Sequence, residues 1–333
     1  MSTLYLTQQD SVLRKEDERL KVTLKGEVLL DLPLLKVSEV VVMGRVTVTP
    51  YTVAALMARN VHLTYLTEHG RYVGRIEPAF SKNSLLRRAQ YAASFDEQRT
   101  LSLARGFVLG KLANLRVTLL RAARNTEGLN LDNAIEAIRG AEGRAQRAAD
   151  LEVLRGHEGE GSAAYFAAFG QLIKTDGFAF TKRVRRPPTD AVNALLSFGY
   201  ALLANDIHAA VQTLGFDPYC GYLHADRYGR PSLALDVMEE FRPVVVDVTV
   251  LACLNKKVLQ PEDFTVGLGE VHSLTPEGRK KFLLQYEGRK GTEIQHPVFE
   301  YKATYQRCFE LQARILAKCL QGELEHYEPF AVR

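Results

Sequence analysis

Hydrophobic and polar residues alternate in short runs along the first 77 positions. Val12, Val22 and Val28 belong to such runs, and 40–43 continues them as a row of three valines and a methionine. Alternation with a period of two and enrichment in β-branched residues predict strands. One segment, 51–60, follows a proline and predicts a short helix. We therefore expect a small, β-sandwich-like N-terminal domain over residues 1–77.

The pattern changes after residue 83. Alanine, leucine and arginine dominate, and Leu101, Leu112, Leu115 and Leu119 recur at helical spacing. The segment from Thr265 to Pro276 contains several glycines and predicts a loop. Further helices are predicted at 131–149, 162–172, 191–214 and 301–320. We expect a linker at 78–83 and a larger all-helical catalytic domain at 84–333, which together make a two-domain α+β fold.

The composition is that of an ordinary soluble protein. Of the 333 residues, 46% are hydrophobic and 25% are charged, which is typical of globular domains. No apolar run approaches the roughly 18 residues that a membrane span requires. The four cysteines form no Cys-x-x-Cys pair, so we expect reduced thiols. These features predict a cytoplasmic protein without a membrane partner.

Positive charge is concentrated in two parts of a nearly neutral chain. The formal net charge is only +4, whereas residues 81–124 carry nine basic and two acidic residues. Residues 174–188 add five basic residues and one aspartate, and residues 1–77 are almost balanced. Long helices often carry solvated basic faces, but two such stretches favour a phosphate-binding surface.

The first candidate site is a glycine-rich segment at 155–161. We interpret it as a tight corner that leads into a helix near Ser162, because its three glycines permit close backbone approach. Glu158 lies in the middle of this corner. The competing interpretation is an acidic cap that complements the helix dipole. A His-Glu-x-x-His zinc motif is excluded, since Gly161 stands where the second histidine would be.

The second candidate site lies between residues 215 and 243. A loop rich in glycine and proline presents His224, and a helix that begins near Ser232 carries three acidic residues. One imidazole and several carboxylates suit Mg²⁺ or Mn²⁺ better than zinc. The alternative is an acidic surface helix with a histidine that serves only as a loop hydrogen-bond donor. Helical spacing places Asp236 near both Glu239 and Glu240, and does not choose between them.

Several motifs in a fixed order identify a family. Gly-His-Glu-Gly at 156–159 is followed by Ala-Ala-Tyr-Phe at 163–166, and then by a segment from Arg185-Arg186-Pro-Pro to Gly-Tyr at 185–200. Gly-Tyr-Leu-His at 221–224 and Leu-Asp-Val-Met-Glu-Glu-Phe-Arg-Pro at 235–243 complete the series. The series resembles the CRISPR-associated spacer-acquisition integrase.

The resemblance implies a set of active-site residues. In that family the matching positions bind a divalent metal, which assigns Glu158, His224 and Glu239 as metal ligands and Mg²⁺ or Mn²⁺ as the ion. Asp236 corresponds to a further catalytic acid. The match therefore selects Glu239 over Glu240, and no other cofactor is implied. Glu160, a second carboxylate in the first motif, has no assigned role.

The resemblance also implies a function and partners. The family is a metal-dependent DNA endonuclease and integrase of prokaryotic antiviral defence, which inserts short foreign DNA fragments as new spacers into a CRISPR array by 3′-hydroxyl transesterification. Its partners are double-stranded DNA (the prespacer and the repeat), a second copy of itself, and a small ferredoxin-like CRISPR-associated protein that bridges two dimers. We expect the N-terminal domain to form the homodimer. The expected DNA contacts are Arg87, Arg88, Lys182, Arg183, Arg185 and Arg186.

Two other functions remain open from the sequence. A free-standing nuclease of branched DNA would use the same ligands with water as the nucleophile. A non-catalytic DNA-binding scaffold would keep the acidic cluster only as structure and would tolerate the loss of His224.

Overall fold

A computed structural model describes residues 2–78, 83–126, 128–185, 187–225 and 227–332. Its internal contacts divide the chain into two compact units, Met1–Phe80 and Ser81–Arg333. The first unit is rich in strands and the second in helices, which confirms the α+β fold class. Most of the predicted linker, residues 79–82, lies outside the described residues.

Over residues 2–78 the first unit contains two four-stranded sheets, one α-helix and a 3-10 turn at Leu34–Lys36. In the first sheet the order is β1-β5-β7-β8, with β1, β5 and β7 parallel and β8 antiparallel. In the second sheet the order is β4-β3-β2-β6, and only the β2–β6 pair is parallel. The elements are β1 Ser2–Leu6, β2 Val12–Glu16, β3 Arg19–Leu24, β4 Glu27–Pro33, β5 Val37–Met43, β6 Thr47–Val48, α1 Pro50–Ala58, β7 His62–Leu66 and β8 Tyr72–Ile76.

One hydrophobic core joins the two sheets of this unit. Val40 and Val42 of β5 pack in the same cluster as Leu13 of β2 and Leu20 of β3. The row of valines at 40–42 is buried throughout, as expected for a central strand covered on both faces. The alternating pattern of the first 77 residues therefore becomes a pair of sheets packed face to face.

The second unit is built mainly from nine helices within its described residues. Aspartate side chains cap three of them: Asp96 accepts from the Arg99 amide, Asp150 from the Val153 amide, and Asp190 from the Asn193 amide. The helices are α2 Ser84–Ser94, α3 Glu97–Asn125, α4 Asp132–Ala145, α5 Leu151–Phe169, α6 Ala191–Leu214, α7 Ser232–Phe241, α8 Val248–Asn255, α9 Pro276–Lys290 and α10 Tyr305–Leu320.

The second unit departs from the all-helical expectation in two places. The segment that we predicted as a loop contains β9 (Phe264–Val266) and β10 (His272–Leu274), which pair as an antiparallel ribbon. A second ribbon joins β11 (Glu293–Gln295) and β12 (Lys302–Thr304). Strands of three residues are too short to show a period in the sequence.

The glycine-rich corner at 155–161 is also corrected. These residues lie inside α5, which begins at Leu151 and continues to Phe169. Glycine in a helix is less favourable than alanine by about 1 kcal/mol per residue. The three glycines therefore predicted a break in the helix that does not occur. Tertiary packing compensates for this cost. Gly161 lets α5 approach α3 so closely that a Cβ at this position would lie 2.4 Å from Leu112 Cδ2.

Helix α6 has the length and apolar composition of a membrane span, a feature that the sequence analysis did not identify. Of its most apolar window, 67% is buried inside the unit. A core helix of a globular protein has the same properties.

Candidate active site

Helices α3 and α5 approach each other closely enough to bring two charged side chains together. Because Gly161 has no side chain, Leu112 of α3 packs directly against the α5 backbone. Lys111, the neighbour of Leu112, thereby reaches Glu158 and forms an ion pair with its Oε1. Ser162, one turn after Glu158, donates a hydrogen bond to the same oxygen at 2.9 Å. The carboxylate of Glu158 is thus held on the α3 side of α5.

His224 is positioned by the buried carboxylate of Asp236 in α7. Asp236 accepts the backbone amides of Tyr222, Leu223 and His224 at 2.6, 3.0 and 3.0 Å. Its Oδ1 also lies 2.7 Å from His224 Nδ1. A Cβ on Gly221 would come within 2.8 Å of Asp236 Oδ2, so this loop needs glycine there.

These contacts define the tautomer of His224. A carboxylate only accepts hydrogen bonds, so Nδ1 carries a proton, and the nitrogen that can offer a lone pair to a metal is Nε2. Nε2 lies 3.6 Å from Glu239 Oε1. The sequence does not identify the partner of the imidazole, and the structure shows that it is Asp236. Asp236 is therefore a positioning residue, because its own oxygens are already occupied.

Glu239 is surrounded by cations. Lys111 Nζ lies 2.7 Å from its Oε2, and Arg242 Nη2 lies 3.2 Å from its Oε1. Burial alone would raise the pKa of Glu239, but Arg242, Lys111 and His224 lower it to about 2. The two carboxylates of Glu239 and Glu158 in turn raise the pKa of Lys111 despite its burial. Glu239 is therefore ionised, and Lys111 is the cation between the two glutamates.

Glu240 points away from this cluster and binds the C-terminal segment, residues 326–332. Tyr327 donates its hydroxyl to Glu240 Oε1 at 2.8 Å, and the amide of Phe330 donates to Oε2 at 3.1 Å. Burial raises the pKa of Glu240 to about 8, although both hydrogen bonds act against the rise. Asn114 of α3 reinforces the attachment by donating to the carbonyls of Glu240 and Phe330, each at 2.7 Å. Glu240 is thus a structural group.

The donor set of Glu158, His224 and Glu239 fits a hard divalent cation. Two carboxylates and one neutral imidazole supply oxygen and nitrogen ligands, and Asp236 supports the imidazole from behind. Glu239 Oε2 is buried and accepts no hydrogen bond within the described chain, although it forms the ion pair with Lys111. In the described ranges no three acidic, histidine or cysteine side chains converge at metal-binding spacing. The ammonium of Lys111 lies between the two carboxylates.

A cavity of about 370 Å³ adjoins these residues. A π-helical turn, Arg242–Asp247, continues α7 and places Arg242 and Asp247 in its wall. Tyr200 donates its hydroxyl to Asp247 at 2.6 Å, and its ring lies 4.8 Å from the guanidinium carbon of Arg242. Burial raises the pKa of Asp247 to about 6. The cations that line the cavity are Lys111, Lys182, Arg183, Arg185 and Arg242.

The predicted DNA-contacting residues fall into two groups. Lys182, Arg183 and Arg185 line the cavity beside the acidic cluster, and Arg183 also donates to Asn193 and Ser197. Arg87 and Arg88 lie on α2, where Arg87 donates to the carbonyl of Gly215 and Arg88 is exposed. Arg186 lies outside the described residues.

Glu160 lies apart from this arrangement. Its carboxylate is 2.5 Å from Arg144 Nη2 and 3.6 Å from His157 Nδ1, and its side chain is half exposed. The hydrogen bond from Arg144 lowers the pKa of Glu160. Its contacts are therefore those of a surface ion pair.

Lys111 and Arg242 were not predicted from the sequence as site residues. Lys111 was counted among the basic residues of α3, yet its side chain is only 7% exposed. Its neighbour Gly110 was the available signal, since a Cβ there would lie 3.0 Å from Glu240 Cγ. A glycine next to a lysine inside a long helix indicates a close helix–helix contact at that point.

The family model described as CRISPR associated protein Cas1 matches residues 4–288. The chain belongs to the Cas1 family. The resemblance inferred from the motif series is thereby confirmed. A relative from Chlorobaculum tepidum, CRISPR-associated endonuclease Cas1 1, is 39% identical over 100% of this chain and 99% of its own. This Cas1 chain is an endonuclease, and Cas1 endonucleases generally need divalent metals.

Solved structures of other proteins have the same fold. A casposase bound to an integration product has a TM-score of 0.88 and 20% identity, covering 100% of this chain and 95% of that one. A Cas6-RT-Cas1–Cas2 complex has a TM-score of 0.82 and 22% identity, covering 99% of this chain and 36% of that one. At these identities the similarity establishes the Cas1 fold.

Proposed function

We propose that this chain is the integrase of spacer acquisition, which inserts short foreign DNA fragments into a CRISPR array. One observation supports this most strongly. Glu158, His224 and Glu239 come from a helix, a loop and a second helix, and they meet beside a cavity lined by cations. Acidic ligands for a metal and basic groups for phosphates are the two requirements of phosphodiester chemistry.

We propose that Glu158, His224 and Glu239 hold Mg²⁺ or Mn²⁺. Bound there, the ion would polarise a phosphodiester and stabilise the negative charge that develops on its oxygens. Asp236 keeps the imidazole oriented with Nε2 toward Glu239, at the distances given above. Arg242, which contacts Glu239 and lines the cavity, supplies a fixed positive charge beside the same carboxylate.

In the proposed reaction a DNA 3′-hydroxyl attacks a phosphodiester of the repeat. A new phosphorus–oxygen bond forms, and the bond to the 3′-oxygen of the repeat strand breaks. The cations at Lys182, Arg183 and Arg185 would bind phosphates next to the reacting one, and Arg186 belongs to the same proposed set. Such contacts position the duplex without selecting its sequence. The basic side chains of Arg87 and Arg88 on α2 would bind the duplex farther from the reacting phosphodiester.

We also propose a homodimer formed through residues 1–77. Val28, Leu29 and Leu30 of the edge strand β4 are 56, 48 and 40% exposed, and an apolar edge strand needs a cover. A small ferredoxin-like Cas protein is the proposed partner that bridges two dimers, and the solved Cas1–Cas2 complexes with this fold support a Cas partner. The proposed location is the prokaryotic cytoplasm.

A strand-joining assay tests the integrase proposal. The purified chain is incubated with the partner protein, a short duplex, Mg²⁺ or Mn²⁺ and a supercoiled plasmid that carries a repeat. Covalent joining of the duplex to the plasmid is the expected result, and chelation should stop it. Mass measured by light scattering should show a dimer at micromolar concentration.

The assay also separates the alternatives. Cleavage of branched DNA into fragments without joining would support a free-standing nuclease. Joining or cleavage at the native rate by a His224→Ala variant would contradict the metal site. A native chain that binds the duplex but neither cleaves nor joins it would support a non-catalytic scaffold. Circular dichroism of each variant would show that its fold is retained.

A further inference from the structure

Lys111 occupies the position between the two carboxylates that we assign to the metal. Its Nζ contacts Glu158 Oε1 and lies 2.7 Å from Glu239 Oε2. The opposite oxygen of Glu239 faces His224 Nε2. The ammonium therefore contacts Glu158 and Glu239, two of the three groups that would bind the ion. Glu239 in turn faces His224, the third group.

Electrostatics explains why a cation is needed there. Two carboxylates that share a buried site repel each other strongly, and an unpaired buried charge costs several kcal/mol. The side chain of Glu239 is only 4% exposed and that of Lys111 only 7%. In the absence of metal, Lys111 and Arg242 are the cations that compensate Glu239, and Lys111 alone of these two also contacts Glu158.

The cavity gives the lysine somewhere to go. Lys111 lines the cavity of about 370 Å³ that also contains Ser162 and Asp247 in its wall. Asp247 is an acidic group in the same wall, so an ammonium that left the two carboxylates for this space would find another carboxylate there. Lysine has a flexible four-carbon stem that permits such a movement.

We propose that Lys111 is the internal counter-ion of the metal-free site and that a divalent cation displaces its ammonium into the adjoining cavity. Lys111 is then a positioning residue that keeps Glu158 and Glu239 together before the metal arrives. It also competes with the metal, so it weakens metal affinity. The inference rests on the proposed metal site.

The test is the affinity for Mn²⁺ alone, measured by calorimetry on the full chain. Lys111→Met removes the charge and keeps most of the volume. We expect its dissociation constant for Mn²⁺ to fall at least about tenfold, because one competing positive charge is removed. Lys111→Arg keeps the charge and should bind Mn²⁺ much as the native chain does. An affinity of Lys111→Met that is unchanged or weaker would overturn the proposal.

A second buried lysine offers a matched control. Lys290 of α9 lies 2.9 Å from Asp206 Oδ1 and 2.6 Å from Glu287 Oε1, and its side chain is 1% exposed. Lys290→Met should also destabilise the fold by leaving two carboxylates without their cation, but it should leave the Mn²⁺ affinity unchanged. A similar gain in Mn²⁺ affinity in both variants would overturn the proposal, since the gain would then result from the loss of any positive charge in the unit.

Thermal unfolding covers the case in which a variant folds poorly. Without metal, the melting temperature of Lys111→Met should fall, and saturating Mn²⁺ should restore most of the loss. A Lys111→Met chain that remains unfolded in saturating Mn²⁺ would overturn the proposal, because the ion could not replace the ammonium. Native Mn²⁺ binding that survives Glu239→Gln would instead contradict the proposed metal site itself.

Discussion

Glu239 and Glu240 are adjacent on α7 and both are buried, yet their environments are opposite. Glu239 faces Lys111, Arg242 and His224, which hold its pKa at about 2. Glu240 faces the aromatic C-terminal segment, and burial raises its pKa to about 8. One side of the helix is therefore charged and the other side is close to neutral at physiological pH.

The difference shows that burial by itself does not determine the ionisation of a carboxyl group. Desolvation raises the pKa of both residues, and only the cations on one side reverse it. Neutral hydrogen bonds from Tyr327 and Phe330 are not enough to do the same for Glu240. The two sides consequently have different tasks: Glu239 belongs to the proposed metal site, and Glu240 anchors the end of the chain.

The sharpest test of this comparison replaces each glutamate with its neutral isostere. Glu239→Gln should reduce strand joining at least about a hundredfold. Loss of a metal ligand should reduce activity more than loss of a residue that only orients a ligand. Glu240→Gln should join DNA near the native rate. Joining assays at saturating Mg²⁺ on both variants measure this. Equal losses in the two variants would remove the distinction between the two sides.

A smaller effect is expected from the group behind His224. Asp236→Asn keeps the size of the side chain, but in either orientation its amide NH₂ would face two N–H donors where the carboxylate now accepts. We expect metal affinity to fall by about 10–100-fold, measured by Mn²⁺ calorimetry. Activity should recover at high Mn²⁺, whereas that of Glu239→Gln should not. Native affinity in Asp236→Asn would show that the imidazole needs no support.

The Glu240 side should reveal itself in the dependence of stability on pH. Because its folded pKa lies above its ordinary value of 4.5, the folded chain holds this proton more tightly than the unfolded chain does. Its contribution to stability is complete below pH 4.5 and is lost as pH rises toward 8, on the order of a few kcal/mol. Glu240→Gln cannot ionise, so its melting temperature should fall less over this interval. If the melting temperatures of the native chain and of Glu240→Gln changed with pH in parallel, the raised pKa of Glu240 would be contradicted.

The smallest effect concerns the cations near the Glu239 side. Replacing Lys182 and Arg185 with glutamine should flatten the slope of log affinity against log salt by about two units, since each phosphate contact contributes roughly 0.9. The control pair is Arg139 and Arg307, which are exposed and ion-paired within their own helices. Filter binding of a duplex at several salt concentrations measures both. An unchanged slope in the first pair would mean that the cavity cations do not bind phosphate.

Much of the architecture was predictable from local pattern. The change of period near residue 80 and the valine row in β5 reflect local periodicity, which needs no knowledge of distant partners. Local propensity also produced one error. The glycines at 156, 159 and 161 suggested a corner by local propensity, but α5 remains helical because Gly161 packs against Leu112.

Local pattern in the sequence predicts the α+β layout, and its ordered motifs indicate the residues from which a metal site could be built. Helical spacing leaves Glu239 and Glu240 equivalent, because it specifies which residues are neighbours and not which way the helix faces, and only the motif match selects Glu239. The orientation of α7 depends on its packing partners: the C-terminal segment contacts Glu240, and Lys111 of α3 contacts Glu239. These partners are separated from α7 by about ninety residues or more along the chain, and only packing brings them together.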